Sequence, residues 1–249
     1  MQKNKTVVFH WIPKVAGTSI YGVLEKEFHC RKLKELMFAR TYNKKEFCVT
    51  FGHMSVERLR QIGVLEREKK DFEFCIVRNP YDRLVSLYTY LKYDTDQSFE
   101  DFVKELNNRF SIRNRFLVFT KIFMFFANKS VRFRNLAEKI FRSGFGKKIR
   151  RYIPLPEVGL YNVFDLSQAN QQVDWITNSN GELVVDKVCR YENLEEGFED
   201  LCKILGIRAQ LPKKNTTKHK HYREYYDEHT KKLVAEMYKD DIAMFGYTF

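Results

Sequence analysis

Three short apolar runs in the first part of the chain each end at a turn and lead into a helix-forming segment. The runs occupy residues 6–12, 47–55 and 72–80, and the third is apolar almost without interruption. An uninterrupted apolar strand is typical of a parallel sheet that is covered on both faces. Successive strand–helix units favour the same architecture, because parallel strands need a crossover connection. We therefore predict the α/β class, with a doubly wound parallel sheet flanked by helices.

Helix signals follow each of these runs and recur near the end of the chain. Residues 16–28 are helix-forming, and residues 79–91 begin with an Asn-Pro pair that supplies an N-cap and a first-turn proline. A further strand at residues 188–191 precedes a helix with an apolar face, which Gly206 ends. Residues 221–247 are predicted to form one long amphipathic helix that a glycine closes.

The composition is that of a globular protein from a reducing compartment. The chain has 249 residues, of which 44 % are hydrophobic, so intrinsic disorder is excluded and one domain over residues 1–249 is expected. The five cysteines form no CxxC pair, which argues against a disulfide framework or a zinc knuckle. The N-terminal apolar run is too short for a signal peptide, and the most apolar stretch, residues 116–127, is too short to span a bilayer.

The positive charge is concentrated in one segment. The formal net charge is +12, and residues 109–151 hold thirteen Lys and Arg against a single acid, Glu138, so this segment carries the whole excess. It also holds nine of the 22 phenylalanines. We predict a basic, Phe-rich helical insert that packs its Phe side chains on the sheet and exposes its cations. A groove for an anionic polymer and an interfacial amphipathic helix are the alternatives.

The turn after the first run has the features of a phosphate-binding loop. It has the sequence IPKVAGTS over residues 12–19. Small residues let backbone N–H groups approach an anion, and a helix that begins there adds a partial positive charge. The Lys14 ammonium can reach a bridging oxygen, and Thr18 and Ser19 offer hydroxyls, so the sheet is predicted to be P-loop-like. No Walker A sequence is present, which disfavours an ordinary kinase or NTPase. The alternative is that residues 17–19 only cap a helix.

A second candidate phosphate site follows the third run. Arg78 leaves the carboxyl edge of the predicted sheet, where ligands of open α/β sheets bind, and Ser86 lies about two helical turns later. A guanidinium and a hydroxyl suit a phosphate group. The alternative for Arg78 is a surface ion pair with Asp82.

These motifs resemble those of a known family. The IPKVAGTS turn and the RNPYDRLVSLY segment are similar to the two nucleotide-binding motifs of the PAPS-dependent sulfotransferases, and most closely to the carbohydrate sulfotransferase branch. Residues 189–207 and 215–247 are similar to a strand–helix unit and to the C-terminal segment of that branch. The resemblance implies transfer of a sulfuryl group from PAPS (3′-phosphoadenosine 5′-phosphosulfate) to an acceptor hydroxyl or amine without a metal. The nucleotide product would be 3′-phosphoadenosine 5′-phosphate.

The resemblance also assigns roles to individual residues. Those that would hold the 5′-phosphosulfate are Lys14, Gly17, Thr18 and Ser19. Those that would hold the 3′-phosphate are Arg78 and Ser86. Lys14 would also be catalytic, because its charge would neutralise the leaving phosphate. Such a transfer between two oxygens depends mainly on positioning and on charge stabilisation.

His53 is the predicted general base that takes the acceptor proton. It follows Gly52 at the end of the second run, and the ordinary pKa of an imidazole lies near neutrality. The Gly-His pair also resembles the one that provides the catalytic histidine in several glycan O-sulfotransferases. Glu57 is the alternative base, or a residue that orients His53. A hydrogen-bonded structural role for His53 is the other alternative.

Three further positions bear on the resemblance. Val15 stands where the family usually has Thr, so one hydroxyl donor is lost while the backbone amides remain. Trp175 follows a turn similar to the family's Gln-x-x-aromatic turn, and it either stacks on the adenine or is a buried structural residue. Lys218 either contacts a phosphate or is solvated.

The sequence thus predicts a cytoplasmic sulfotransferase that modifies a carbohydrate such as a cell-surface or capsular polysaccharide. An anionic or lipid-linked glycan is the candidate acceptor. Residues 109–151 are the candidate for peripheral contact with the inner face of the cytoplasmic membrane, and no nucleic acid partner is expected. The alternative is a basic peripheral protein that binds nucleic acid or membranes and keeps only a vestigial nucleotide fold.

Overall fold

Five strands form one sheet in which every neighbouring pair is parallel. The computed structural model describes residues 6–33, 48–52, 54–61, 63–65, 71–91, 97–111, 166–212 and 220–249. Its strands are β1 (Val7–Trp11), β2 (Arg31–Leu33), β3 (Cys48–Gly52), β4 (Phe72–Val77) and β5 (Lys187–Arg190). They lie in the order β2-β3-β1-β4-β5. Because β2 and β3 lie on one side of the central β1 and β4 and β5 lie on the other, the predicted doubly wound α/β sheet is confirmed.

Helices connect the strands and cover the sheet. They are α1 (Gly17–Phe28), α2 (Val56–Gln61), α3 (Pro80–Tyr90), α4 (residues 99–111), α5 (Val173–Ile176), α6 (Leu194–Leu205), α7 (Glu228–Met237) and α8 (Lys239–Phe245). The predicted helix signals operate as expected. The Asn79 side chain accepts the Tyr81 N–H at 3.0 Å, and Pro80 is the first residue of α3. Gly206 ends α6 with a φ of 70°.

The predicted single C-terminal helix is wrong, because two helices occupy this region after a 3₁₀ turn at Tyr222–Tyr225. Asp227 starts α7 by accepting the Thr230 N–H at 2.7 Å. Tyr238 separates α7 from α8 with non-helical dihedrals (φ −115°, ψ 26°), and its hydroxyl donates to the Ala169 carbonyl at 2.5 Å. The buried Tyr238 contact thus overrides a sequence that is helix-forming throughout. Gly246 closes α8 in the left-handed region, as predicted.

The apolar interior has two parts. The larger one contains the sheet strands with α1, α2, α5 and α6, and the smaller one contains α3, α4 and α7. β1 lies at the centre of the first, and all of its residues are buried. The smaller part includes Phe110, whose ring centroid lies 5.8 Å from that of Tyr238. The start of the predicted insert is therefore the end of a packed helix, and the insert residues after 111 lie outside the described residues.

A buried charged group interrupts the apolar interior on β4. The Glu73 carboxylate accepts hydrogen bonds from His10 Nε2 at 2.7 Å and from Arg60 Nη2 at 2.8 Å. Burial opposes its ionisation, but the hydrogen bond from His10 and the charges of His10 and Arg60 hold the pKa of Glu73 below its usual value. Glu73 is near the amino end of β4, whereas Arg78 follows the carboxyl end of the same strand. The hydrogen bonds of Glu73 therefore stabilise the fold at the end of β4 that is opposite to Arg78.

Candidate active site

The carboxyl ends of the central strands bring several chain segments to one edge of the sheet. β1 leads into residues 12–16, β4 leads into Arg78, and β5 leads into the 3₁₀ turn Tyr191–Asn193. In a parallel sheet these ends lie side by side, and ligands of open α/β folds bind there. This edge is therefore the candidate active site.

The loop after β1 has the backbone conformation of an anion-binding loop. Lys14 and Ala16 are both left-handed, with φ values of 66° and 63°, although neither is a glycine. Alternation of left- and right-handed residues turns successive backbone N–H groups toward one side and forms a concave anion site. Non-glycine residues in this region cost free energy, and such strain is concentrated at functional sites. Val15 is completely buried, so the side chain at the position where the family usually has Thr points into the core.

Gly17 is required where the loop meets α1. A Cβ atom added at this position would lie 1.9 Å from Nε1 of Trp11. Trp11 is the last residue of β1, and Lys32 Nζ lies 3.4 Å from the centroid of its ring. No residue with a side chain fits without moving this ring. The glycine therefore sets how closely the first turn of α1 approaches the end of β1.

We expect Gly17→Ala to lower the free energy of unfolding by about 1–3 kcal/mol, because the added methyl overpacks against Trp11. Chemical denaturation monitored by circular dichroism measures the change. Gly197→Ala is the matched control, since a Cβ atom at this helical glycine would meet its nearest neighbour, Cys189 Cβ, at 3.3 Å. A Gly17→Ala protein as stable as the control would contradict the steric argument.

Lys14 is partly enclosed and close to a second cation. Its Nζ lies 3.9 Å from the ring centroid of Tyr90, at the end of α3. Burial and the nearby charge of Arg78 lower the pKa of Lys14 to about 8. Both causes disfavour the ammonium in the free protein, and an anion bound between the two cations would relieve the second of them.

Arg78 joins the two predicted phosphate motifs. Its Nη1 donates to the Lys14 carbonyl at 3.1 Å, its Nε donates to Asp82 at 2.7 Å, and its guanidinium carbon lies 4.1 Å from the Tyr191 ring centroid. The ion pair with Asp82 considered as an alternative for Arg78 is thus present, together with the contact to the loop, but it is not at the surface, because Arg78 is only 6 % exposed. Among the described contacts only two groups of the guanidinium donate, so it keeps further N–H donors for a ligand.

An open cleft of about 680 Å³ lies beside the loop. The start of α1 contributes Ala16 and Ser19, and residues 191–196 form the facing wall. The Glu192 carboxylate in this wall is occupied by the backbone N–H of Asn79 at 2.5 Å and the hydroxyl of Tyr247 at 3.2 Å. The cleft has the size of a small-molecule site.

The other predicted binding residues differ in how exposed their side chains are. Thr18 is exposed in the first turn of α1, and Gly17 beside it is buried. Ser86 is only 2 % exposed on α3, so its hydroxyl does not reach open solvent. Trp175 is 1 % exposed and belongs to the core around the sheet. The protein itself covers the ring, as the structural alternative expects, and stacking of Trp175 on an adenine stays a prediction.

Two predicted residues cannot be located. His53 and Lys218 lie outside the described residues, although β3 ends at Gly52 and α2 begins at Val56. Glu57 in the first turn of α2 accepts a hydrogen bond from Gln61 Nε2 at 3.1 Å. The roles of His53 as base and of Lys218 as a phosphate ligand thus stay predictions.

Tyr191 and Glu192 also lie at this edge, and neither was predicted as a site residue. Tyr191 stacks on the guanidinium of Arg78, and Glu192 fixes the backbone of Asn79. Their place directly after β5 is the signal that points to them. Ligands of open α/β sheets bind at the carboxyl ends of the strands, so residues after β5 are candidates for the same reason as Arg78 after β4.

No group of three or more His, Cys, Asp and Glu side chains in the described ranges is arranged to hold a metal ion. Within the same ranges, no helix has the length and the apolar character needed to cross a bilayer.

Comparisons with known proteins connect this chain to a family. A family model described as "Sulfotransferase family" matches residues 1–248. The crystal structure of a sulfotransferase from Alicyclobacillus acidocaldarius superposes with a TM-score of 0.44 at 15 % identity, covering 98 % of this chain and 97 % of that chain. No protein of curated function matches the sequence. Because the family model spans nearly the whole chain, the protein belongs to the sulfotransferase family.

Proposed function

We propose that this sulfotransferase moves the sulfuryl group of PAPS to a hydroxyl, rather than an amine, of a carbohydrate acceptor. The observation that carries the proposal is the hydrogen bond between the Arg78 guanidinium and the Lys14 carbonyl, which joins two motifs 64 positions apart. A donor with phosphate groups at both its 5′ and 3′ positions needs two phosphate sites near each other. The contact between the motifs agrees with that need.

The residues at the sheet edge fit such a donor. The left-handed loop with Lys14 and the exposed Thr18 suits the 5′-phosphosulfate, and Gly17 and Ser19 complete that side. Arg78 suits the 3′-phosphate. Ser86 is buried, so its hydroxyl would reach that phosphate only after the residues that cover Ser86 move. The donor, when bound, supplies an activated sulfuryl group whose leaving phosphate gains negative charge. Lys14 stabilises that charge, and the proposed base, His53, accepts the proton of the acceptor.

Nucleotide binding tests the proposal without an identified acceptor. Thermal unfolding is measured with adenosine 3′,5′-bisphosphate, ATP and adenosine 5′-monophosphate. We expect the bisphosphate to stabilise the protein, by about 2.7 kcal/mol at a concentration 100 times its Kd, and ATP to have no comparable effect. Stabilisation by ATP alone would favour a kinase. If no nucleotide stabilises the protein, the proposal fails, and the alternative of a basic binding protein is favoured.

The pH dependence of bisphosphate binding is predicted by the pKa of Lys14. In the free protein this pKa is about 8, whereas a bound phosphate favours the ammonium and raises it. Below pH 8 Lys14 is charged before binding, so this group gives the affinity no pH dependence. Above pH 8 binding must take up a proton, so Kd rises up to about tenfold per pH unit. Isothermal titration between about pH 7 and pH 9.5 measures this change, and Lys14→Arg, which stays charged, should remove it.

We also propose that the basic segment at residues 109–151 selects an anionic acceptor. Its excess charge supports electrostatic attraction to a polyanion. Replacing Lys129, Arg132, Lys147 and Lys148 by Gln should raise the KM for an anionic glycan at least about tenfold while leaving bisphosphate affinity unchanged. A glycan panel that compares polygalacturonate with neutral dextran, with bisphosphate release as the readout, measures this change. Equal KM values for the variant and the parent would contradict this assignment.

A further inference from the structure

Gln172 holds the backbone of Arg78 at the point where β4 ends. Its Oε1 accepts the Arg78 N–H at 2.8 Å, and its Nε2 donates to the Arg78 carbonyl at 2.8 Å. One side-chain amide thereby makes both hydrogen bonds that a neighbouring strand would make. Gln172 is completely buried, so no solvent competes for these bonds. The direction in which the Arg78 side chain leaves the sheet edge depends on this pairing.

Asp241 of α8 determines which way the Gln172 amide points. Asp241 Oδ2 accepts the Gln172 backbone N–H at 2.9 Å and Gln172 Nε2 at 3.2 Å, and Oδ1 accepts the Val173 N–H at 2.9 Å. A flipped amide would put Oε1 against the carboxylate, which is repulsive. The orientation that faces Nε2 toward Asp241 is the same one that serves both backbone groups of Arg78.

The charge of Asp241 is compensated within the same group. Burial raises the pKa of Asp241 to about 6, while the charge of Arg83 and the donated hydrogen bonds act in the opposite direction. Arg83 is also buried, and it donates to the carbonyls of Ala169 and Asn170, which lie three and two positions before Gln172. Arg83 and Asp241 thus brace the chain around Gln172 from two sides.

We propose that Gln172 and Asp241 are positioning residues that set Arg78 for recognition of the 3′-phosphate. This inference rests on the proposed function, because it takes Arg78 to be the ligand of that phosphate. It predicts a loss specific to nucleotides that carry a 3′-phosphate. If the two residues served folding alone, their replacement would weaken the binding of every nucleotide equally.

The chain supplies matched controls one residue earlier in each segment. Gln171 Nε2 donates to Asp240 Oδ2 at 2.8 Å, and the Asp240 N–H donates to Gln171 Oε1 at 3.0 Å. This second Gln–Asp pair lies at the exposed surface and has no described contact with Arg78. Gln171 Oε1 also accepts the Asp241 N–H at 3.4 Å. Gln171→Met and Asp240→Asn nevertheless leave the side chains of Gln172 and Asp241 unchanged, so they remove a similar pair while keeping the bonds from Gln172 to Arg78.

The test compares two ligands by isothermal titration, adenosine 3′,5′-bisphosphate and adenosine 5′-monophosphate. We expect Gln172→Met to weaken bisphosphate binding about tenfold and monophosphate binding less than about twofold, since two hydrogen bonds that orient Arg78 are lost. Asp241→Asn should weaken bisphosphate binding about threefold, because its amide still meets part of the donor set. Both control variants should retain the preference of the parent protein for the bisphosphate.

The outcomes distinguish failure of the positioning role from failure of the proposed function. If Gln172→Met is folded and keeps the preference, or loses affinity for both ligands equally, the positioning role is overturned while the proposed function stands. A parent protein that binds neither nucleotide would overturn both. If Gln172→Met does not fold, Asp241→Asn carries the test, because it keeps the Gln172 side chain and its expected loss must again be confined to the bisphosphate.

Discussion

Lys14→Ala is expected to lower kcat for sulfuryl transfer about 10²–10³-fold, the usual cost of removing one preorganised group that stabilises developing charge. The left-handed loop directs the Lys14 backbone to the sheet edge, and the side chain lies close to the cation of Arg78. Removing the ammonium leaves the charge on the leaving phosphate without this partner. The measurement is steady-state release of the bisphosphate with a glycan acceptor taken from the panel described above.

The loss should occur without loss of stability. Because burial and Arg78 lower the pKa of Lys14 from 10.5 to about 8, the folded protein binds this proton less tightly than the unfolded chain does. Replacing Lys14 therefore removes an unfavourable charge, and the melting temperature should stay the same or rise. Lys26→Ala on the exposed side of α1 is the control, and its activity should equal that of the parent. A Lys14→Ala protein with parental kcat would exclude Lys14 from the chemical step.

His53→Ala is expected to lower kcat about 10²–10⁴-fold, the range typical of a lost general base. His53 follows β3, whose last residue, Gly52, pairs in register with Trp11 at the end of β1. For the parent protein, kcat/KM should rise with pH through about 6.5 as the imidazole loses its proton, and this limb of the profile should vanish in the variant.

Glu57→Gln distinguishes the alternative base. Its carboxylate accepts a hydrogen bond from Gln61 within α2, and the variant preserves size and hydrogen bonding. We expect kcat within about threefold of the parent if Glu57 only supports this turn. A loss of activity in Glu57→Gln together with retained activity in His53→Ala would assign the proton transfer to Glu57 instead.

The sequence predicted those elements whose conformation is decided by residues close to one another in the chain. The β1 loop, the Asn79 cap with Pro80, and the α6 stop at Gly206 are all short-range devices, in which neighbouring residues decide the backbone conformation. Arg78 was found in the same way, since the end of an apolar strand is visible in the sequence.

Features that depend on distant partners were missed or wrong. β2 has only three residues, and its strand conformation depends on pairing with β3. The break at Tyr238 depends on a buried contact with Ala169, 69 positions away. The side chain of Trp175 has the same chemistry in a ligand site and in a core, so the sequence did not predict its burial in the core around the sheet.

The sequence by itself determined the parallel strand–helix architecture, the phosphate-type loop and the place of Arg78 at the sheet edge, because each follows from adjacent residues. Only the tertiary structure decided how Arg78 is held. The bonds from Gln172 to Arg78 and from Asp241 to Gln172 span 94 and 69 positions, so no local pattern reveals them. Their physical basis is burial, since backbone groups that leave the sheet ladder inside the protein must find partners, and folding alone brings those partners together.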